Sequence, residues 1–301
     1  MGKIDALAHV FLKPSAEFPR ETSEEMPEER EAPVELLLAQ MEANDVDQAV
    51  LVQAGGAEVD QHSYLLKCLK DHPGQFRGIG RIPDDTDDPK EHMDRLAGEG
   101  DIIGFQLERF GGPLDPLGPM IPSEWKMYAA YEHAAEKDFV LYLYPEAAQV
   151  HMVPFFLEAF PQVRTVFKHM MVCPGRDGVT WTDGKPHIEV QKPSITRHTT
   201  AEFYQFENVY SIMSGSYAIS DEAWPYEDLT GWHSPLSFVR RYGSDHSLWG
   251  SDFPFVLKDP GYAKTAELME TVLADTPKGD LENVMGEAAR RILRFKELET
   301  A

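Results

Sequence analysis

The sequence predicts an α/β protein folded as a single (β/α)8 barrel over residues 1–301. Three observations point there. Short β-rich apolar runs alternate with longer helical patterns, the reading expected of parallel strands joined by crossover helices. Eight such runs can be counted, the strand number of a sheet closed into this barrel. A length of 301 residues is ordinary for one barrel. Neither G-x-G-x-x-G nor G-x-x-x-x-G-K-[ST] follows any strand, so the doubly wound alternative lacks its phosphate-binding signatures.

The first run, Ile4–Phe11 (IDALAHVF), is apolar around Asp5 and His9. PVELLLAQMEAND carries apolar residues at helical spacing and leads to a second strand at Gln48–Gln53. HSYLLKCLKDH is a second helix, stopped by the Pro and Gly of Asp71-His72-Pro73-Gly74 before a third strand at Phe76–Ile82. Strands four to eight are expected at Ile102–Glu108, Phe139–Tyr144, Thr165–Met171, Val209–Ser214 and Ser247–Asp252. EWKMYAAYEHAAEK precedes the fifth and LSFVRRYG the eighth; KTAELMETVLAD and LENVMGEAARRILRFKEL close the chain as helices. No internal repeat is present. Two segments are long for simple connections, which marks them as functional loops. Residues 12–33 are acidic and proline-bearing, a mobile flap by expectation. Residues 172–200 carry Arg176, Trp181, Lys185, His187, Arg197 and His198 and are expected to form a lid.

A hydrophobic content of 42% supports a large core and excludes global disorder. The formal charge is −23, from 51 acids against 28 Lys and Arg. Such a field repels nucleic acid and anionic membranes, so neither is an expected partner. It admits a small anionic substrate if the pocket gathers its own cations. No apolar run approaches the roughly 20 residues of a membrane span. The first strand follows Met1-Gly2-Lys3 directly, leaving no room for a signal peptide, so a cytoplasmic location is expected. Cys68 and Cys173 are read as reduced thiols.

In such barrels chemistry sits at the C-terminal strand ends. Those ends supply His9, Gln53, Arg81, Glu108, Arg109, Tyr142, Tyr144, Lys168, His169, Ser214, Ser216 and Asp252. Singly, each has a bland explanation. A strand histidine is usually a satisfied core group, a tyrosine packs with its hydroxyl in water, and the aspartate of GSDFP caps a turn. Two imidazoles and a carboxylate on one rim are harder to explain so.

IDALAHVF, FKHMMVCPG, NVYSIMSG and LWGSDFPF resemble the first, sixth, seventh and eighth strand segments of the amidohydrolase-related family, whose branch holds lactonases and metal-dependent decarboxylases. VDQAVLVQ, HPGQFRGIGRI and GFQLERF are similar to its strands two to four, and the likeness runs to NVMGEAARRIL. The resemblance implies the barrel and carries three site positions. The second strand-one histidine falls on His9, the Asp-His-Met-Gly motif on Lys168-His169-Met170-Met171, and the strand-eight aspartate on Asp252. The departures are Leu7 for the first strand-one histidine, Lys168 for an acid, tyrosines for a strand-five histidine, and Gln106 where lactonase-like members often place an arginine.

Some lactonase members work without metal, whereas the decarboxylases need the full ligand set. The expected activity is therefore metal-independent hydrolysis of a small carboxylated lactone or related ester. Asp252 is the expected general base, with His9 and His169 as electrostatic partners. Arg81, Glu108, Arg109, Tyr142, Tyr144, Lys168, Ser214 and Arg197 are the expected substrate contacts. No cofactor is expected. One alternative is decarboxylation around a single Zn2+ or other divalent ion held by His9, His169 and Asp252, with Glu108 as a candidate fourth ligand. Another is a ligand-binding member without turnover. The partner is a small molecule, and a homo-oligomer is admitted.

Overall fold

The computed structural model describes residues 2–98, 101–175, 178–182, 185–189, 200, 202–230, 234–277 and 279–296. Eight parallel strands form one sheet. They are β1 (Lys3–Ala8), β2 (Val46–Val52), β3 (Phe76–Arg81), β4 (Ile102–Leu107), β5 (Val140–Leu143) and β6 (Thr165–Phe167), followed by β9 (Val209–Met213) and β10 (Ser247–Trp249). The last strand returns to the first. Asp252 N–H donates to Leu7 O (2.9 Å) and His9 N–H to Phe253 O (2.7 Å), which closes the barrel just beyond β10.

All eight expected strands are present. Apolar residues such as Ile4, Val50, Ile79, Val166, Ile212 and Leu248 meet inside the barrel because alternate residues of each strand point inward. Ala288, Ala289, Ile292 and Leu293 of the C-terminal helical segment pack into the same cluster from the N-terminal mouth. There Arg290 donates to Gln48 Oε1 (2.9 Å). Helices including α1 (Val34–Ala43), α2 (Ser63–Asp71), α3 (Pro89–Ala97) and α4 (Tyr128–Lys137) cover the outside. The α3 helix starts as its sequence dictates, with Pro89 in the first turn and the Asp88 carboxylate capping Glu91 N–H at 2.9 Å. Among the described residues, no helix is long and apolar enough to cross a membrane.

Strands six and eight stop earlier than expected, at Phe167 and Trp249. His169, Met170 and Met171 take φ of 50°, 54° and 60°, and Asp252 takes 65°. Left-handed residues cannot continue a β ladder. Non-glycine residues held there cost of order 1–3 kcal/mol each, a strain that gathers at functional sites.

Both long segments carry structure of their own. The flap is tied down: Phe11 and Ala32 exchange backbone hydrogen bonds of 3.0 and 2.7 Å across its base. Arg20 donates to the carbonyls of Leu12, Glu21, Met26, Pro27, Glu28 and Arg30 at 2.7–3.4 Å, with its guanidinium over the Phe11 ring. The lid segment contains an unexpected antiparallel hairpin, β7 (Val179–Thr182) and β8 (Lys185–Ile188), separate from the barrel sheet.

Candidate active site

A cavity of about 340 Å³ opens at the C-terminal strand ends, the size of a small-ligand pocket. The flap contributes Glu25 and Met26 to its wall, and the hairpin contributes Val179, Trp181, Pro186 and Ile188.

His9 follows β1 and is buried. Its Nδ1 lies 2.8 Å from Val52 O. A carbonyl only accepts, so Nδ1 carries the proton and Nε2 presents a lone pair. That Nε2 lies 3.8 Å from Asp252 Oδ1. Burial, aided by the Lys168 ammonium, pushes His9 down to about 4, leaving the ring neutral at pH 7. The other oxygen of Asp252, Oδ2, accepts the Tyr217 hydroxyl at 2.7 Å. The Asp252 side chain thus has one tied oxygen and one turned toward an imidazole.

His169 is buried, with Nδ1 3.0 Å from Ser214 Oγ and its ring edge against Tyr144 (centroids 5.0 Å). Burial and then Lys168 hold it well below the ordinary histidine value, so it too is neutral. A glycine is required behind it. Gly215 has φ of 75°, and a Cβ there would lie 2.7 Å from His169 Nδ1.

Lys168 is the buried cation of the site. Its Nζ donates to Gln106 Oε1 (3.2 Å) and sits 4.9 Å from the Tyr144 ring centroid. Burial lowers its pKa, while Glu108, Asp252 and Glu25 oppose that shift. Gln106 in turn donates to Glu108 Oε1 (2.5 Å), and Arg81 donates to Glu108 Oε2 (2.9 Å). One hydrogen-bonded wall therefore runs Lys168–Gln106–Glu108–Arg81.

The structure gathers His9, Arg81, Glu108, Arg109, Tyr144, Lys168, His169 and Asp252 on this cavity. Tyr142 is a correction. It lies one layer deeper, fully buried in the barrel, and its hydroxyl donates to Ala6 O at 3.1 Å. Ser214 is another, standing behind His169 and off the cavity wall. Arg109 is exposed and paired with Glu146 (3.2 Å) and Asp84 (3.6 Å). The cations expected of the lid also differ. Lys185 pairs with Asp259 and His187 faces Asp221, while Arg176, Arg197 and His198 lie outside the described residues.

Sequence reasoning missed Glu25, Tyr217 and the hairpin's apolar face. Tyr217 stands three residues beyond Ser214 at the end of strand seven, a position that could have flagged it. Glu25 is one acid in an acidic run and carries no such signal.

The donors do not fit a resident divalent ion. Leu7 is fully buried in the barrel interior, an ammonium stands among the donors, and among the described residues no group of three or more His, Cys, Asp or Glu could hold a metal.

A parallel eight-stranded barrel with a carboxylate, two neutral imidazoles and a buried lysine on its C-terminal rim is a barrel enzyme. The chain belongs to the amidohydrolase family, whose model matches residues 4–295. Similar solved structures include a candidate 2-pyrone-4,6-dicarboxylic acid hydrolase from Pseudomonas putida (21% identity, 99% of each chain, TM-score 0.70). Another is an amidohydrolase from Burkholderia multivorans (17% identity, 98% of this chain and 100% of that one, TM-score 0.73), solved with HEPES and, in another crystal form, with zinc. A third is 2,6-dihydroxybenzoate decarboxylase from Rhizobium (14% identity, 97% and 98%, TM-score 0.63). At these identities the likeness is one of fold. No curated protein sequence matches the chain at a significant level.

Proposed function

We propose that the chain hydrolyses a small lactone or related ester without a resident metal, using Asp252 as general base. The observation that carries this reading is the pair of facing acceptors, Asp252 Oδ1 and the neutral Nε2 of His9, 3.8 Å apart at the cavity. A substrate water held there donates one proton to each. As its oxygen attacks the carbonyl carbon, one proton passes to Asp252. Negative charge develops on the carbonyl oxygen, where the Lys168 ammonium stabilises it. With Ser214 O–H donating to Nδ1, His169 offers its Nε2–H to the same oxygen. The ring C–O bond then breaks, and the alkoxide takes up a proton to give the hydroxy acid.

The cavity volume suits a single-ring substrate, and the Pseudomonas neighbour, whose described substrate is a pyrone, supports a lactone. The expected carboxylate is less well served. Arg81 is held by Glu108 and Arg109 by Glu146 and Asp84, so a substrate carboxylate has to displace one of these acids. The reading therefore centres on the lactone carbonyl, and a carboxylate is an optional substituent.

The test is a panel of lactones with and without carboxyl groups, run on chelator-treated protein beside aromatic acids. Lactone hydrolysis that survives chelation, and falls about 10²–10⁴-fold in Asp252→Asn, is the expected result. Release of CO2 from an aromatic acid only when zinc or manganese is added, with every lactone inert, overturns the reading.

A further inference from the structure

We propose that the hairpin and Phe255 form an apolar subsite beside His9 and Asp252, which selects lactones bearing an alkyl or aryl substituent. This rests on the hydrolase reading above and names the kind of ring that would be acted on.

The subsite follows from the period of the hairpin. Successive strand residues point to opposite faces, and the register sets Val179 opposite Ile188 and Trp181 opposite Pro186. All four line the cavity, with Pro186 and Ile188 buried. The alternate residues Thr180, Thr182 and His187 are exposed. One face of the hairpin is thus apolar and turned to the cavity, and the other is polar and in water.

Its position is fixed at both ends. At the base Glu189 N–H donates to Gly178 O (2.8 Å), and near the turn Lys185 pairs with Asp259. Asp259 follows Phe255 in the loop beyond β10. Trp181 meets the Phe255 ring edge to face (centroids 5.7 Å), and Phe255 lies 5.5 Å from the His9 ring. His9 Nε2 is in turn 3.8 Å from Asp252 Oδ1. A path of rings therefore joins the hairpin to the proposed base.

The polar groups stand elsewhere. In the ring of strands β4 lies four places from β10, so Gln106 and Glu108 face the Phe255 side from across the barrel. Among the described residues, five carboxyl groups line the cavity against three cations, and acids already hold Arg81 and Arg109. A substrate carboxylate meets that excess of acids. Under the hairpin it meets only one side-chain donor, the Trp181 indole N–H, which cannot replace its water. An alkyl or aryl group gains there instead, by roughly fourfold in affinity for each methylene taken out of water.

δ-Valerolactone and its δ-methyl, δ-propyl and δ-carboxy derivatives test the subsite. Each kcat/KM is divided by the rate of the same lactone with hydroxide, and ratios on one preparation cancel its active fraction. The propyl lactone is expected to exceed the unsubstituted ring about 10–60-fold, with the carboxy lactone poorest. Trp181→Ala should cut the propyl advantage about tenfold, Trp181→Phe should keep most of it, and Thr180→Ala, on the outer face, should leave it unchanged. A carboxy lactone preferred to the propyl one, or an equal cut by Thr180→Ala, overturns the subsite and leaves the hydrolase reading standing.

Lactams of the same rings resist hydrolysis and give a readout independent of turnover. Calorimetric affinity should rise about tenfold or more from 2-piperidone to 6-propyl-2-piperidone, and Trp181→Ala should remove most of that rise. Every lactone inert, with this lactam pattern intact, overturns the hydrolase reading alone. Equal affinity for the two lactams overturns the subsite.

Discussion

Two aspartates sit on the seam where the last strand meets the first, and they have opposite surroundings. Asp5 accepts four hydrogen bonds, from Leu7 N–H (3.1 Å), Ser251 N–H (2.8 Å), Ser251 Oγ (2.5 Å) and the Tyr262 hydroxyl (2.9 Å). Burial still raises its pKa to about 6 against the pull of those bonds. Asp252 receives one side-chain donor, Tyr217, and leaves its second oxygen toward His9. A saturated carboxylate has no lone pair to offer a reactant, so its bonds serve to hold the seam. An unsaturated one on a cavity keeps a lone pair to offer a reactant. Hydrogen-bond supply, rather than residue type or burial, separates structure from chemistry here.

The contrast can be broken from either side. The largest effect is expected from Asp252→Asn, which keeps the size and the Tyr217 contact but removes the proposed base. Turnover should fall about 10²–10⁴-fold with Tm close to wild type; retained turnover would reduce Asp252 to a turn cap.

Asp5→Ala should do the converse. Stranding the Tyr262 and Ser251 donors in the core should cost about 3 kcal/mol or more, read by urea unfolding, while kcat per folded molecule changes little. A fully stable variant would mean that the four bonds contribute nothing net.

Gly215→Ala probes the support of the second imidazole. The left-handed backbone costs about 1–2 kcal/mol for alanine, and the new methyl displaces His169 from Ser214. A roughly tenfold loss of kcat with KM nearly unchanged is expected; a change in KM alone would place His169 in binding.

The smallest effect is a pH dependence. His9 has its folded pKa depressed to about 4, so the unfolded chain binds the extra proton first. Its neutral burial supports stability above about 6.5, and that support is lost as pH falls toward 4. His9→Gln should flatten this acid-side loss in a Tm series, and an unaltered slope would show that the ring already titrates normally.

Much of the barrel was legible because its strands are apolar runs of the right length and number. What sequence did not show was where each strand lets go. The left-handed turns at His169–Met171 and Asp252 are set by neighbours such as Gly215 and by the seam, not by local propensity. Tyr142 and Tyr144 share a strand face, as their spacing implies, yet only depth along the barrel decides which one reaches the cavity. The hairpin was readable. Val179–Thr182 and Lys185–Ile188 flank Asp183-Gly184, a dipeptide that favours two-residue hairpin turns. The place of Glu25 on the cavity wall was not, since the flap that carries it is held by backbone bonds from Arg20 and Arg30 that no local pattern announces.

Arg20 grips the flap through carbonyl oxygens alone, and every residue type offers the same carbonyl. Apart from Ser23 and Arg30, whose side chains also bond within the loop, the shape of residues 21–30 is therefore largely uncoupled from the identity of their side chains. Such a loop is exchangeable material. Side chains facing the cavity, Met26 among them, can be varied in a library while Arg20, Ser23 and Arg30 keep the contour, so this segment is the natural place to redirect the enzyme toward other substrates.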